Sequence, residues 1–178
     1  MLPIDKDGQP LCLKEEFMNE PHAYAKLWKH HGAEKEAEKI TALAKERGEK
    51  WLGLYGGKVS SEWMLPKIAE TLSSSPKVYD AADEFIEAAD YLTLVLTGNK
   101  VKSSCMAGYK ALWQKSGGYP DKEFMATIDP RLRDLVKTKL KYPVAPCGSL
   151  AGEISEEGAR LTGLLPGTKV AVPIIDAH

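Results

Sequence analysis

Val170-Ala171-Val172-Pro173-Ile174-Ile175-Asp176-Ala177-His178 closes the chain, and its reading decides the fold class. A short apolar run bounded by Pro166 and Gly167 predicts a strand buried on both faces. A single carboxylate, Asp176, stands at its tip. In α/β folds, ligands bind just beyond the carboxyl ends of strands. Asp176 is therefore placed for chemistry, although no further loop or helix within these 178 residues encloses a site. The chain reads as a piece of a larger enzyme.

Upstream of this run the pattern is mostly helical. Ser155-Glu156-Glu157 opens a helix, its acids near the positive end of the dipole, and Gly163 closes it. Pro130 to about Leu140 predicts another helix. Ser104 can cap a short one running to Trp113, and Gly117-Gly118-Tyr119-Pro120 is a break. Phe85, Ala88, Ala89, Leu92 and Leu96 repeat at helical spacing after Asp80 to Asp83, and Thr97-Gly98 ends that stretch. Ser73 to Pro76 reads as a loop. Leu65, Ile68, Ala69 and Leu72 form a stripe whose start Pro66 restricts to Trp63–Leu65, because proline is tolerated only in a first turn. Ala33, Ala37, Ile40 and Ala44 form another, closed by Gly48. Tyr24 to Trp28 reads as a short strand. Leu2 to Ile4, the turn Asp5-Lys6-Asp7-Gly8 and Pro10 to Leu13 read as a hairpin whose first strand is open on one side. The fold class is α/β and helix-rich.

Bulk properties narrow the function. A length of 178 residues suits one domain with a real core. A net charge of −1 gives no basis for attraction to nucleic acid or an anionic membrane. No apolar run approaches the roughly 20 residues that span a bilayer, and the N-terminus lacks a basic signal-peptide start. Cys12, Cys105 and Cys147 are odd in number and widely spaced, which points to a reducing cytoplasm rather than a disulfide framework. Cys105 and Cys147 read as small buried residues.

Several constellations carry two readings each. Asp176 is a general base at a strand tip or a solvated strand-end acid. Tyr55-Gly56-Gly57-Lys58-Val59-Ser60-Ser61-Glu62-Trp63 has the glycines and helix start of an anion cradle. It lacks the P-loop pattern, and Glu62 would repel phosphate. A helix end, a glycine turn and a capped helix start explain every residue of it. His30, His31 and Asp176-x-His178 invite a metal, but fall short of four ligands in recognisable pairs; a polar loop pair is the simpler reading. Lys110 sits among aromatics on a short helix, where it can bond sugar hydroxyls or phosphate, or face solvent. Trp28, Trp63 and Trp113 stack on a ring or fill core.

Taken in order, these segments resemble the FGGY carbohydrate kinases, most closely their bacterial ribulokinase branch. The likeness rests on Pro21-His22-Ala23-Tyr24 with Leu27-Trp28-Lys29-His30-His31, and on Tyr55-Gly56-Gly57 with Ser60-Ser61-Glu62-Trp63. It continues through Glu87-Ala88-Ala89-Asp90, Leu96-Thr97-Gly98 and Ala107-Gly108-Tyr109-Lys110-Ala111-Leu112-Trp113. It ends with Leu161-Thr162-Gly163-Leu164, Gly167-Thr168 and Asp176-Ala177-His178. The resemblance implies part of an actin-like, ribonuclease-H-like ATPase domain with helical insertions, residues 1–178 being the later part of the first domain. It implies ATP-dependent phosphorylation of L-ribulose in arabinose breakdown, with Mg²⁺. Asp176 falls on the family's catalytic base, Lys110 on a ketopentose contact and Trp28 near the sugar-side loop. The family's phosphate-binding segments fall outside this chain, so the chain alone is expected not to turn over ATP, and the remaining kinase segments are implied partners. Phosphoryl transfer rests on positioning phosphates and metal. The other readings are a non-catalytic pentose-binding module and a self-associating one. The latter draws on exposed sheet edges at Leu2–Ile4 and Val170–Ile175.

Overall fold

The computed structural model describes residues 1–176. Strand β1 (Leu2–Ile4) leads into the Asp5–Gly8 turn. Asp5 Oδ1 accepts from the Asp7 and Gln9 N–H groups, each at 2.9 Å, and Gly8 takes φ +81°, so the Asp-Gly turn forms as predicted. Single-turn 3₁₀ segments follow at Leu11–Leu13, Glu15–Phe17 and Pro21–Ala23. Residues 24–28 are not a strand: Lys26 exchanges both backbone hydrogen bonds with Met1, at 3.0 and 2.9 Å, and the pairing goes no further.

Helix α1 (Glu34–Glu46) buries Ala37, Ile40 and Ala44, as the spacing predicts. Gly48, at φ +67°, ends it, and the Glu49 N–H caps the Ala44 carbonyl. A 3₁₀ run, Lys50–Tyr55, precedes α2 (Met64–Ser74). Helix α2 is buried on all sides from Met64 to Leu72, which makes it the axle of the main core. Trp51 packs edge-on to Phe124 and Tyr55 to Trp63, both at 5.2 Å between centroids.

Where a loop was expected, Pro76 starts α3 (Pro76–Ala81), which buries Val78 and Tyr79. Phe85 belongs not to a helix but to β2 (Glu84–Ile86), antiparallel to β1 with Pro3 opposite Phe85. Pairing with β1 and burial beside Tyr79 outweigh its helical spacing. β1 is consequently buried, not an exposed edge. Helix α4 (Ala88–Thr97) ends at Gly98. Strand β3 (Lys102–Ser103) runs into α5 (Ser104–Ala111). The cap of α5 is Ser103 rather than Ser104: its Oγ accepts the Cys105 N–H at 3.1 Å.

The stretch after Gly117–Pro120 holds α6 (Lys122–Ile128), capped by Asp121. The helix expected from Pro130 is split into a 3₁₀ turn at Pro130–Leu132 and α7 (Leu135–Lys139). Strand β4 (Val144–Ala145) lies parallel to β3. Strand β5 (Leu150–Glu153), α8 (Glu156–Thr162) and β6 (Lys169–Ala171) complete the described chain. Ser155 caps α8 as expected, and its Oγ also donates to the Leu96 carbonyl at 3.1 Å. Gly158 lies so close to α4 that a Cβ there would overlap the Leu96 carbonyl oxygen.

The terminal run departs from its reading. β6 pairs with β5 alone, and its residues are exposed or half-buried. Val172 is buried, but Ile174 is 51 % exposed. The ladder stops at Pro173, which has no N–H to donate, and among the described residues this sheet has only two strands.

The buried centre holds charges. Lys102 Nζ lies 2.5 Å from Glu84 Oε1, and both side chains are almost wholly buried. Burial pushes the Glu84 carboxyl up and the Lys102 ammonium down, each against the attraction of the other. Removing one member strands the other charge, which costs about 3–5 kcal/mol. Lys102→Ala is therefore expected to lower unfolding free energy by about that amount. Lys102→Met with Glu84→Leu is expected to recover most of it; urea titration of the three proteins compares them.

Candidate functional site

Lys110 sits in the last turn of α5, half-buried. Tyr55 Oη donates to the Gly108 carbonyl at 2.6 Å, and Leu112 ends the helix at φ +62°. A leucine in the left-handed region is strained, so the turn that fixes Lys110 is held by burial of Leu112 against the main core.

Lys67 is the neighbour that the sequence reading missed. It sits on the buried α2, and its Nζ donates to the Leu27 carbonyl at 2.8 Å, next to Trp28. Burial lowers its pKa; Glu87 opposes that shift, and the charge of Lys110 adds to it. Lys67 thus links the Trp28 loop to the surroundings of Lys110. Trp28 itself is 68 % exposed, and it does not fill core.

The same loop frames a surface cavity of about 360 Å³ lined by His22, Lys26, His30 and Glu70, among others. Lys26 Nζ pairs with Glu70 and lies 2.8 Å from His22 Nδ1; His30 Nε2 lies 2.9 Å from Glu70 Oε2. Burial would raise the Glu70 pKa, but the bonds from Lys26 and His30 outweigh it and hold the carboxyl below its usual range. Gly32 closes over this pair, since a Cβ there would overlap Glu70 Oε1. His31 instead faces Ser61 Oγ at 3.3 Å, so the adjacent histidines have different partners. The sequence carried one signal for this network: Lys67, Glu70 and Thr71 interrupt an apolar helix at i, i+3, i+4 spacing.

Asp176 is exposed, in a turn just past Ile175. The segment leading to it is tied to α5 by Ser103, whose Oγ donates to the Pro173 carbonyl at 2.5 Å. The Ser103 N–H donates to buried Asp90 Oδ1 at 2.8 Å. Lys110 lies seven residues along α5 from Ser103, about 10 Å at 1.5 Å per residue. Among the described residues, no hydrogen bond or ion pair joins Asp176, Lys110 and Trp28 to one another.

The glycine turn is a structural element. The Gly56 and Gly57 N–H groups donate to the Gly53 and Leu52 carbonyls and are not available to an anion. Among the described residues no three His, Cys, Asp or Glu side chains gather where a metal could bind; His178 lies outside them. Cys147 is exposed and Cys105 half-buried, not the buried pair expected.

Comparison with known proteins places this geometry. No family model matches the chain. Solved structures with the same fold include a gluconate kinase and a xylulose kinase from Lactobacillus acidophilus. Their TM-scores are 0.62 and 0.60, each at 19 % identity over 83 % of this chain. The chain covers 28 % and 29 % of those proteins. The fold is thus the one found in part of these two sugar kinases, mixed helix and sheet as expected. Sequence gives the branch. The chain is 52 % identical over all 178 residues to a protein named ribulokinase from Geobacillus thermodenitrificans, and 44 % to one from Mycolicibacterium smegmatis. It is homologous from end to end with bacterial ribulokinases, and it spans about a third of their length, 32 % and 31 %.

Burial raises the Asp90 carboxyl to about 7, against the pull of the Ser103 N–H and Lys102. An unfolded aspartate titrates near 3.9. Between these values the folded state holds a proton that the unfolded state has shed, so stability falls as pH rises from about 4 to about 7. Asp90→Asn keeps the acceptor and removes the titration. Its urea midpoint, relative to the unsubstituted protein, is expected to rise from pH 5 to about pH 7 and to level off above that.

Proposed function

We propose that this chain is the later part of the first domain of an ATP-dependent ribulokinase and contributes the sugar side of its active site. The observation that carries this reading is homology to ribulokinases over all 178 residues. Asp176 takes the proton from the hydroxyl of L-ribulose that is phosphorylated, as its exposed place beyond the last strand allows. Lys110 bonds the sugar hydroxyls, and Trp28, exposed on the loop that Lys67 holds, packs against the ketopentose. Nucleotide and Mg²⁺ are assigned to the remaining kinase segments, because phosphoryl transfer rests on positioning phosphates and metal, and the resemblance puts the phosphate-binding segments there. Leu161 and Leu165, 61 % and 78 % exposed, fit a surface that those segments or a second copy would cover. Three free cysteines suit a reducing cytoplasm, and no helix among the described residues is long and apolar enough to cross a membrane.

The test is kinase activity in the full-length polypeptide that carries this chain. Asp176→Asn is expected to lower kcat by about 10²–10⁴, the usual worth of a general base, with KM for L-ribulose little changed. Lys110→Ala is expected to raise KM for L-ribulose by about tenfold or more, the worth of a charged hydrogen bond. Ribulose-dependent ADP release at the unsubstituted rate from the Asp176→Asn protein would sink the assignment.

A further inference from the structure

Three hydrogen bonds meet at Ser103. Its N–H is held by Asp90, an α4 carboxylate that is 1 % exposed. Its Oγ accepts the Cys105 N–H and so caps α5, the helix that carries Lys110. The same Oγ donates its proton to the Pro173 carbonyl, three residues before Asp176. One hydroxyl thus uses its donor on the Asp176 segment and its acceptor on the Lys110 helix. The side chain is fully buried, so water does not compete for either bond. Pro173 can hold that segment to the sheet only through its carbonyl, because it has no N–H. Val172 makes the last ladder bonds, its N–H donating to the Ser149 carbonyl and its carbonyl accepting the Gly148 N–H, and beyond it Ile174 is exposed. Among the described residues, the Ser103 bond is therefore the last hydrogen bond that holds this segment before Asp176.

We propose that Ser103 is a positioning residue that sets Asp176 relative to Lys110, with Asp90 fixing Ser103 in turn. The proposal rests on the ribulokinase reading and concerns the same site. Chemistry that depends on a placed base is sensitive at this scale, since a displacement of about 1 Å can cost about a hundredfold in rate. Substrate binding through Lys110 depends on the α5 cap as a whole and is affected less, because neighbouring helical turns also hold that helix.

The experiment is steady-state kinetics on the full-length polypeptide carrying this chain, with L-ribulose and ATP. Ser103→Ala is expected to lower kcat by about tenfold to a hundredfold, with KM for L-ribulose changed less than threefold, about the limit of a reliable difference. Ser103→Thr keeps donor and acceptor and is expected to restore kcat. Ser103→Ala in an Asp176→Asn background is expected to cost nothing further, because the residue acts through the base. If Ser103→Ala does not accumulate as folded protein, Ser103→Cys, with its weak donor, takes its place in the same cycle. Equal losses from Ser103→Ala with and without Asp176→Asn would overturn the proposal, as would a failure of Ser103→Thr to rescue. An inactive unsubstituted protein, or an Asp176→Asn protein of full activity, would instead overturn the ribulokinase reading itself.

Discussion

The ion pair between Glu84 and Lys102 is the constraint on which the arrangement depends. It joins two successive strands across the helix α4 that separates them in the chain, and does so where water cannot substitute for either partner. Lys102 also donates from Nζ to the Phe85 carbonyl at 3.3 Å and from its backbone to the Pro143 carbonyl at 2.8 Å. Glu84 Oε2 accepts the Lys141 N–H at 3.0 Å. The β1–β2 pair, the β3–β4 pair and the turn after α7 are thereby referred to one point. A sliding register would leave a charge unpaired in the interior, a cost of several kcal/mol. Very short strands can keep a fixed alignment on those terms, although pairs of two or three residues are weak by themselves.

What the sequence made legible follows from local physics. Helix α1 and the caps at Gly48, Gly98 and Gly163 rest on periodicity and backbone permissiveness, and these stood. β2 was hidden because Phe85 falls by coincidence on the helical spacing of α4, and only its partner β1, some 80 residues away, decides the matter. Helix α6 was hidden by shortness: seven residues give less than two full periods, and the Asp121 cap was its one clear mark. The terminal run was read as doubly buried from composition, which reports how apolar a strand is and not how many layers flank it. Asp176, Lys110 and Trp28 stood out by position and residue type, and the resemblance gave them their roles, whereas Lys67, Glu70 and Ser103 emerged only in three dimensions. A lysine inside an apolar helix face was the visible sign, and the serine at 103 was masked by an equally good cap candidate at 104.

The candidate site carries features that a purely structural region would shed. Two ammonium groups, Lys67 and Lys110, oppose each other's charge. A tryptophan stands largely in solvent, and a leucine is held in a left-handed conformation two residues beyond Lys110. Each opposes stability.

The contact at Gly158 bears on how such a chain can diverge. Because the backbone of α8 touches the Leu96 carbonyl directly, the two helices have no side-chain layer between them to absorb substitutions. At 158 even a single methyl group would wedge the helices apart. The antiparallel pair of β5 and β6, whose connection is α8 itself, packs on that same α4, so the wedge would swing the strand that ends near Asp176. Over generations, one position with no side chain would be policed as strictly as a catalytic one, and its loss would resemble a defect in chemistry although it touches no substrate.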